Sequence, residues 1–360
     1  MEYLSIDGTM GEGGGSITRL AAGFSILFNQ PIHLKNIRAN RSPPGLRLQH
    51  QLGLESLQKL SNGELSSIEV GTTDLKFAPG TGGENTLDVN IKTAGSIALL
   101  SQTIQTAFIH SNSVKSIKIN YIGGGTFGRG APDPYYLNNV TYRFFSQMGY
   151  KCHIDVKKNG YYPKGGAMAS LTIEPIRNVS DLKPLVITDK GDLHKICGII
   201  SCSENLQKPK VAERIYQSIF ENLRKHPHYF HLSEEDVQID LLYERTLNPG
   251  VGLSIWANYD HTVIGTGTLL GKQGVPSEKV GKNAVDHLIH ETVNSATVDS
   301  YAADQLIPLM VMCPSESKIL VREVTSHLKT NIDLLQQFHP RNYILKKEGD
   351  LWVLQYKSWN

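Results

Sequence analysis

Asp7-Gly8-Thr9-Met10-Gly11-Glu12-Gly13-Gly14-Gly15-Ser16-Ile17-Thr18-Arg19 follows a short apolar run, Tyr3, Leu4 and Ile6. Beyond it, Ile17, Leu20, Ala21, Phe24 and Leu27 recur at helical spacing. Strand, glycine loop and helix in that order expose backbone N–H groups and a positive helix end to an anion. Tight-turn chemistry alone also accounts for such glycines. No Gly-Lys-Ser/Thr closes the loop, so it is not a Walker A sequence. Glu12 repels a bare phosphate, and the loop makes best sense with a divalent cation between acid and phosphate.

The next stretch carries the complementary charge. A strand is expected over 32–37, followed by Arg38-Ala39-Asn40-Arg41-Ser42-Pro43-Pro44-Gly45-Leu46-Arg47-Leu48-Gln49-His50. Basic and amide side chains gather here around a stiff Pro-Pro-Gly turn, with no acid among them. One such arginine is ordinary solvated surface. Arg19, Arg38, Arg41 and Arg47 beside one acidic glycine loop point instead to a phosphate-rich ligand.

Composition sets the bounds. The chain has 360 residues, 40% hydrophobic and 19% charged, as in ordinary globular proteins. Its net charge is only +2, so contact with nucleic acid must be local rather than the work of a global basic field. The N-terminus reads as a strand rather than a signal peptide, and no apolar run approaches the roughly 18 residues of a membrane span. Cys152, Cys197, Cys202 and Cys313 are scattered without CxxC spacing, which argues against zinc and for buried thiols in a reducing compartment. A cytoplasmic location is expected, or a nuclear one in a eukaryote.

Element order suggests an α+β fold in which a unit of two helices on a four-stranded sheet occurs three times. The first unit ends with strands near Ser67–Val70 and Leu75–Phe77. The second holds strand Thr86–Ile91, helix Ser96–Ile109, strand Ser116–Tyr121, helix Tyr135–Met148 and strands near His153–Val156 and Ala169–Ile173. The third fits helix Glu278–Val293, helix Ala302–Met312, strand Lys318–Val321, helix Leu328–Phe338 and two final strands. Residues 184–274 interrupt the pattern with strands and an amphipathic helix at 211–224. The expected division is a main catalytic domain, 1–183 with 275–360, and an inserted α+β domain, 184–274.

The runs DGTMGEGGGSITR and IRANRSPPGLRLQHQ resemble the N-terminal region of the RNA 3′-terminal phosphate cyclases. The likeness continues at Lys92-Thr93-Ala94-Gly95-Ser96 through Gln102, at Gly124-Gly125-Thr126 with Ala131-Pro132, and at Gly160-Tyr161-Tyr162-Pro163-Lys164-Gly165-Gly166. It resumes at Val298-Asp299-Ser300-Tyr301 with Asp304-Gln305-Leu306, and at Ser326-His327-Leu328-Lys329-Thr330-Asn331. The blocks are in family order across nearly the whole chain. The resemblance implies a three-repeat main domain of the enolpyruvyl-transferase kind, with an insert similar to the C-terminal domain of translation initiation factor 3. It also implies conversion of an RNA 3′-phosphate end to a 2′,3′-cyclic phosphate, with ATP and a divalent metal (Mg or Mn). The intermediates implied are a covalent histidine–AMP and an RNA(3′)pp(5′)A end.

On its own, His327 reads as a capping-region residue opening an apolar helix. By resemblance it is the nucleophile that takes up AMP, and a helix N-terminus favours the neutral, nucleophilic imidazole. The resemblance likewise makes Glu12 the metal ligand, Arg19, Arg38, Arg41 and Gln102 phosphate ligands, and Tyr301 the residue stacked on adenine. Pro132 and Tyr136 form the other wall of the base slot, Asp304 and Gln305 lie near nucleotide and histidine, and Gln49 and His50 line the same pocket. Three departures from the family pattern stand out: Phe127, Tyr135 and Ala167. The first two put base or ribose contacts in doubt and predict a loosened nucleotide preference. His226, His228 and His231 read as an exposed turn, and His287 and His290 as surface. Two rivals share the architecture, a non-catalytic cyclase-like RNA-binding factor in ribosome assembly and an enolpyruvyl transferase. The first lacks the loop acid and the nucleophilic histidine, both present here.

Overall fold

Strand β1 (Leu4–Asp7) leads through the glycine loop into helix α1 (Gly15–Leu27), and the chain returns as β2 (Ile32–Lys35), parallel to β1. Helix α2 (Leu48–Ser61) then gives way to β3 (Glu64–Leu65) and β4 (Leu75–Ala78), closing a sheet of order β1-β2-β4-β3. Ile6, Ile32, Leu34, Leu75 and Phe77 are buried, the period-2 pattern of a sheet with one face covered. The computed structural model describes residues 2–112 and 115–359.

The same strand order recurs. β5 (Thr86–Ser96), α3 (Ile97–Ala107) and β6 (Ile117–Gly125) are followed by a helical stretch, and then by β7 (Lys151–Lys158) and β8 (Met168–Glu174). That stretch comprises α4 (Pro134–Tyr136), a π-helical turn (Leu137–Thr141) and α5 (Tyr142–Gln147). The second sheet runs β5-β6-β8-β7. β9 (Val186–Ile187) opens a third sheet, but the chain leaves it at once for a separate layer. That layer holds β10 (Leu193–Ser203), α6 (Val211–Lys225), β11 (Val237–Glu244) and β12 (Val251–Tyr259). It is completed by β13 (Val263–Gly265), β14 (Leu269–Leu270) and α7 (Ser277–Thr292). The third sheet then resumes with α8 (Ser300–Met312), β15 (Ser317–Val321), α9 (Ser326–Phe338), β16 (Tyr343–Glu348) and β17 (Leu351–Tyr356). Its order, β9-β15-β17-β16, repeats that of the first two.

Two apolar cores result. The helices of the three like-ordered sheets bury Phe24, Leu57, Ile104, Leu306 and Leu335 against one another. The separate layer packs Ile200, Ile215, Ile219, Leu253, Ala284 and Leu288. The fold is mixed α+β, and three local expectations change. Helix 278–293 packs on α6 through Val280, Ala284, Val285 and Leu288, in the second core rather than with the third sheet. That sheet instead takes its parallel edge from β9, inside the expected insert, because Lys318 and Ile319 pair with Val186 and Ile187. The strand expected at 67–70 is irregular chain, with β3 lying earlier. Among the described residues no helix is long and apolar enough to cross a membrane.

Candidate active site

The glycine loop is wedged between three elements. Gly11 and Gly13 have φ of +56° and +58°. A Cβ on Gly11 would stand 2.0 Å from Thr330 Oγ1 of α9, and one on Gly13 2.8 Å from Asn40 Nδ2. On Gly15 it would stand 2.1 Å from His50 Nε2 of α2. The glycines therefore permit close approach as well as left-handed turns. The squeeze places Glu12 against the N-terminus of α9.

There Thr325 caps the helix by accepting from Leu328 N at 3.0 Å, which sets Ser326 and His327 as its first two residues. Ser326 Oγ donates to Glu12 Oε1 at 2.6 Å, and Arg41 Nη2 donates to Glu12 Oε2 at 3.1 Å. His327 Nε2 lies 4.0 Å from that second oxygen. The Ser326 hydrogen bond, then the charge of His327, hold the Glu12 carboxyl below its usual range, with Arg41 adding to both. The side chains of Glu12, Arg41 and His327 are about half exposed, so these contacts orient the groups more than they stabilise the fold. Among the described residues no three His, Cys, Asp or Glu side chains gather as a cation site. Glu12 is one hard oxygen donor, which fits a magnesium-like ion only if phosphate oxygens and water complete its shell.

Beside this group opens a cleft of about 560 Å³. Arg19, Gln102, Pro132, Tyr301, Asp304, Gln305 and His327 all line it. Tyr301 is 41% exposed; its ring meets Tyr136 edge-on at 6.3 Å and packs on Gly267, where a Cβ would stand 3.2 Å away. The ring is thus held in place while still facing solvent. Burial draws the Arg19 guanidinium down to about 10 against the opposing charge of Asp304. Burial and then the charge of Asp299 push Asp304 up to about 7, with Arg19 opposing. Gln305 Oε1 and Asn331 Oδ1, both in the cleft wall, are buried without a hydrogen-bond partner, which marks room for donors from a ligand or water.

Several expected residues sit elsewhere. Tyr136 is fully buried and does not line the cleft: its hydroxyl donates to Asp299 Oδ1 at 2.5 Å, so it supports Tyr301 instead of walling a base. Arg38 spends Nη1 on the carbonyls of Pro43 and Gly45, at 3.1 and 2.8 Å, and so shapes the Pro-Pro-Gly turn. Arg41 reaches Glu12 but lies outside the cleft lining. His50 is buried, accepts from Arg47 N at 3.1 Å and is pulled down to about 3 by burial and three neighbouring arginines. Gln49 accepts from Ser96 N at 3.4 Å.

Phe127 and Tyr135 also lie outside the cleft. Phe127 is buried between the rings of Tyr135 and Tyr161, at 5.8 and 5.9 Å, and presses on Gly252 of β12. Tyr135 Oη accepts from Asn159 Nδ2 at 2.8 Å. This stack joins the second sheet's unit to the separate layer, so the basis for a loosened nucleotide preference is gone. His287 and His290, read as surface, are exposed and also line the cleft, with Glu291 beside them. Glu291 accepts from Ser300 N at 3.0 Å, next to Tyr301. Spacing gave no signal for these residues, because α7 reaches the cleft only through the packing of the second core.

Two buried carboxylates pin that layer behind Tyr301. Asp133 accepts from Thr268 Oγ1 at 2.8 Å and Ser254 Oγ at 3.3 Å, and Asp299 accepts from Gly265 N at 2.8 Å. Burial pushes each up to about 6.

The family profile described as RNA 3′-terminal phosphate cyclase matches residues 10–345. A protein of that name from Thermococcus gammatolerans is 38% identical over 97% of this chain and 96% of its own length. Those from Methanosarcina barkeri and Pyrococcus furiosus are 35% and 34% identical, over 96% and 98% of this chain and 98% and 99% of their own. With the profile matched over residues 10–345 and these relatives matched over nearly their whole length, the chain belongs to the RNA 3′-terminal phosphate cyclase family.

Proposed function

We propose that this chain uses ATP to convert an RNA 3′-phosphate end to a 2′,3′-cyclic phosphate, with His327 as the nucleophile. The observation that carries the reading is the convergence of Glu12, Arg41, Ser326 and His327 at the mouth of the cleft that holds Arg19, Tyr301 and Asp304. Base stacking on Tyr301 and phosphate contacts from Arg19 and Gln102 bring the α-phosphorus of ATP to the imidazole. A ring nitrogen of His327 forms a P–N bond as the bond to pyrophosphate breaks, and the ring releases its proton. A terminal RNA phosphate oxygen then displaces the imidazole, giving RNA(3′)pp(5′)A. Last, the adjacent 2′-oxygen attacks the 3′-phosphorus, loses its proton and expels AMP; being intramolecular, this step draws on proximity.

A divalent ion, with Glu12 as its protein ligand, would offset phosphate charge. Arg19 and Arg41 add fixed positive charge where it develops. The reading includes three copies of one two-helix, four-strand unit, similar to the enolpyruvyl-transferase architecture. The second core forms an inserted domain between β9 and α8. A non-catalytic factor has no call for an acid hydrogen-bonded at a histidine-bearing helix end, which disfavours that rival. The test is an RNA oligomer labelled at its 3′-phosphate, incubated with ATP and magnesium. Label made resistant to phosphatase and recovered as a 2′,3′-cyclic nucleotide supports the reading; label left phosphatase-sensitive overturns it.

A further inference from the structure

The sequence block 160–166 takes no part in the cleft, and it builds an unusual surface. Tyr161 and Gly165 pair as an isolated bridge, with Gly165 N donating to Tyr161 O at 2.8 Å, so residues 161–165 form a closed hairpin tip. Its base is anchored on both sides. Tyr161 Oη is buried against Ser201 Oγ at 2.7 Å, and Lys164 N donates to Asn248 Oδ1 at 3.0 Å. Tyr162, in the tip, is 82% exposed, the most exposed large apolar or aromatic side chain among the described residues. β8, which leaves this hairpin, and its neighbour β6 carry a second exposed pair, the register partners Met168 and Ile122, at 52% and 49%.

Cations sit on this tip and on segments that touch the hairpin, Lys92 beside Thr93 and Arg245 beside Glu244. Lys92, Lys164 and Arg245 are exposed and carry no ion pair among the described residues. Glu244, the acid next to Arg245, is turned inward, accepting from Asn159 N and Nδ2 at 2.9 and 2.7 Å. The tip also abuts β5, which runs directly into α3, whose Gln102 lines the cleft. A Cβ on Gly165 would stand 2.8 Å from Thr93 O, and the end of β5 is tied to α2 by the Gln49–Ser96 bond, two residues from Arg47.

We propose that Tyr162 is a stacking platform for single-stranded RNA, holding nucleotides that precede the 3′ end while Lys92, Lys164 and Arg245 follow their phosphates. An exposed ring on an anchored hairpin tip offers a π-face that any base can use, and free cations track the backbone without reading sequence. With a net charge of only +2, the chain confines its attraction for RNA to such a local strip. The assignment of direction, body of the RNA here and terminus at His327, rests on the cyclase reading.

The test measures binding apart from chemistry. Fluorescence anisotropy follows a 12-nucleotide RNA without a 3′-phosphate on wild type, Tyr162→Ala and Tyr162→Phe, while labelled ATP alone reports the protein–AMP adduct. The expected result is about tenfold weaker RNA binding for Tyr162→Ala, retention by Tyr162→Phe, and equal adduct in all three. Equal RNA affinity of wild type and Tyr162→Ala overturns the platform, whatever the adduct does. Loss of RNA binding in Tyr162→Ala with no adduct in the wild type keeps the platform and overturns the cyclase reading. Self-association in sedimentation that Tyr162→Ala abolishes, with RNA affinity unchanged, assigns the patch to a second copy of the chain and overturns the proposal.

Discussion

Ser326 Oγ donates a 2.6 Å hydrogen bond to Glu12 Oε1, joining the first residue of α9 to a loop 314 positions earlier. The bond links the first and third sheets' units where Glu12, Arg41 and His327 meet. It also explains why the loop is so rich in glycine: side chains there would collide with Thr330 and Asn40 and hold Glu12 away from α9.

That relationship predicts separate effects for charge and position at Glu12. Glu12→Gln keeps an acceptor for Ser326 but removes the charge, and should slow adduct formation about a hundredfold, with a higher magnesium requirement. Ser326→Ala leaves the charge and should cost about tenfold or less, with the magnesium titration little changed. Both are read from initial rates of AMP transfer across a magnesium series. Equal effects of the two substitutions would mean that Glu12 acts only as a loop brace.

Tyr301 and Tyr136 should divide into base contact and support. Tyr301→Ala should weaken ATP binding by about one to two decades, the range of a lost base–aromatic stack. Tyr136→Phe removes a donor from the buried Asp299 and should cost roughly 1–3 kcal/mol of stability, with ATP affinity changing less. Equilibrium urea unfolding and ATP titration of both variants separate the two roles. Loss of stability without loss of ATP affinity in Tyr301→Ala would make it a packing residue.

Phe127→Ala should destabilise the chain by about 3–5 kcal/mol, because a buried ring between Tyr135 and Tyr161 is removed. The ratio of adduct formed with ATP to that with GTP should not move, since the ring lies outside the cleft. A changed ratio, measured at a temperature where the variant is folded, would return Phe127 to nucleotide selection.

The sequence carried the glycine loop and the order of helices, because these rest on local spacing. It did not show which core a helix joins. α7 has the same amphipathic pattern whether it packs on α6 or on the third sheet, and β9, two residues long, is too short to leave a period. Tyr136 and Tyr301 are both aromatics at helix starts; only the Asp299 hydrogen bond shows that one is support and the other exposed. Phe127 looked like a lost polar contact because its partners, Tyr161 and Gly252, come from distant segments.

Asp304 supplies a pH dependence. Its carboxyl is raised from 3.8 to about 7 in the fold, chiefly by burial, so the native state binds this proton more tightly than the unfolded chain. The stability it contributes is therefore complete below about pH 4 and is lost as pH rises through about 7. Relative to Asp304→Asn, which cannot ionise, wild type should lose urea stability steadily from pH 5 to 8. A pH-independent difference between the two would place the carboxylate in a solvated setting.

Transfer of labelled AMP to the protein tests the central claim most directly. Wild type, incubated with ATP labelled at the α-phosphate and magnesium, should form an acid-labile, alkali-stable adduct. His327→Ala, folded by circular dichroism and with unchanged ATP affinity, should form none. Wild-type adduct yield from His327→Ala would contradict the assignment of the nucleophile and, with it, the mechanism.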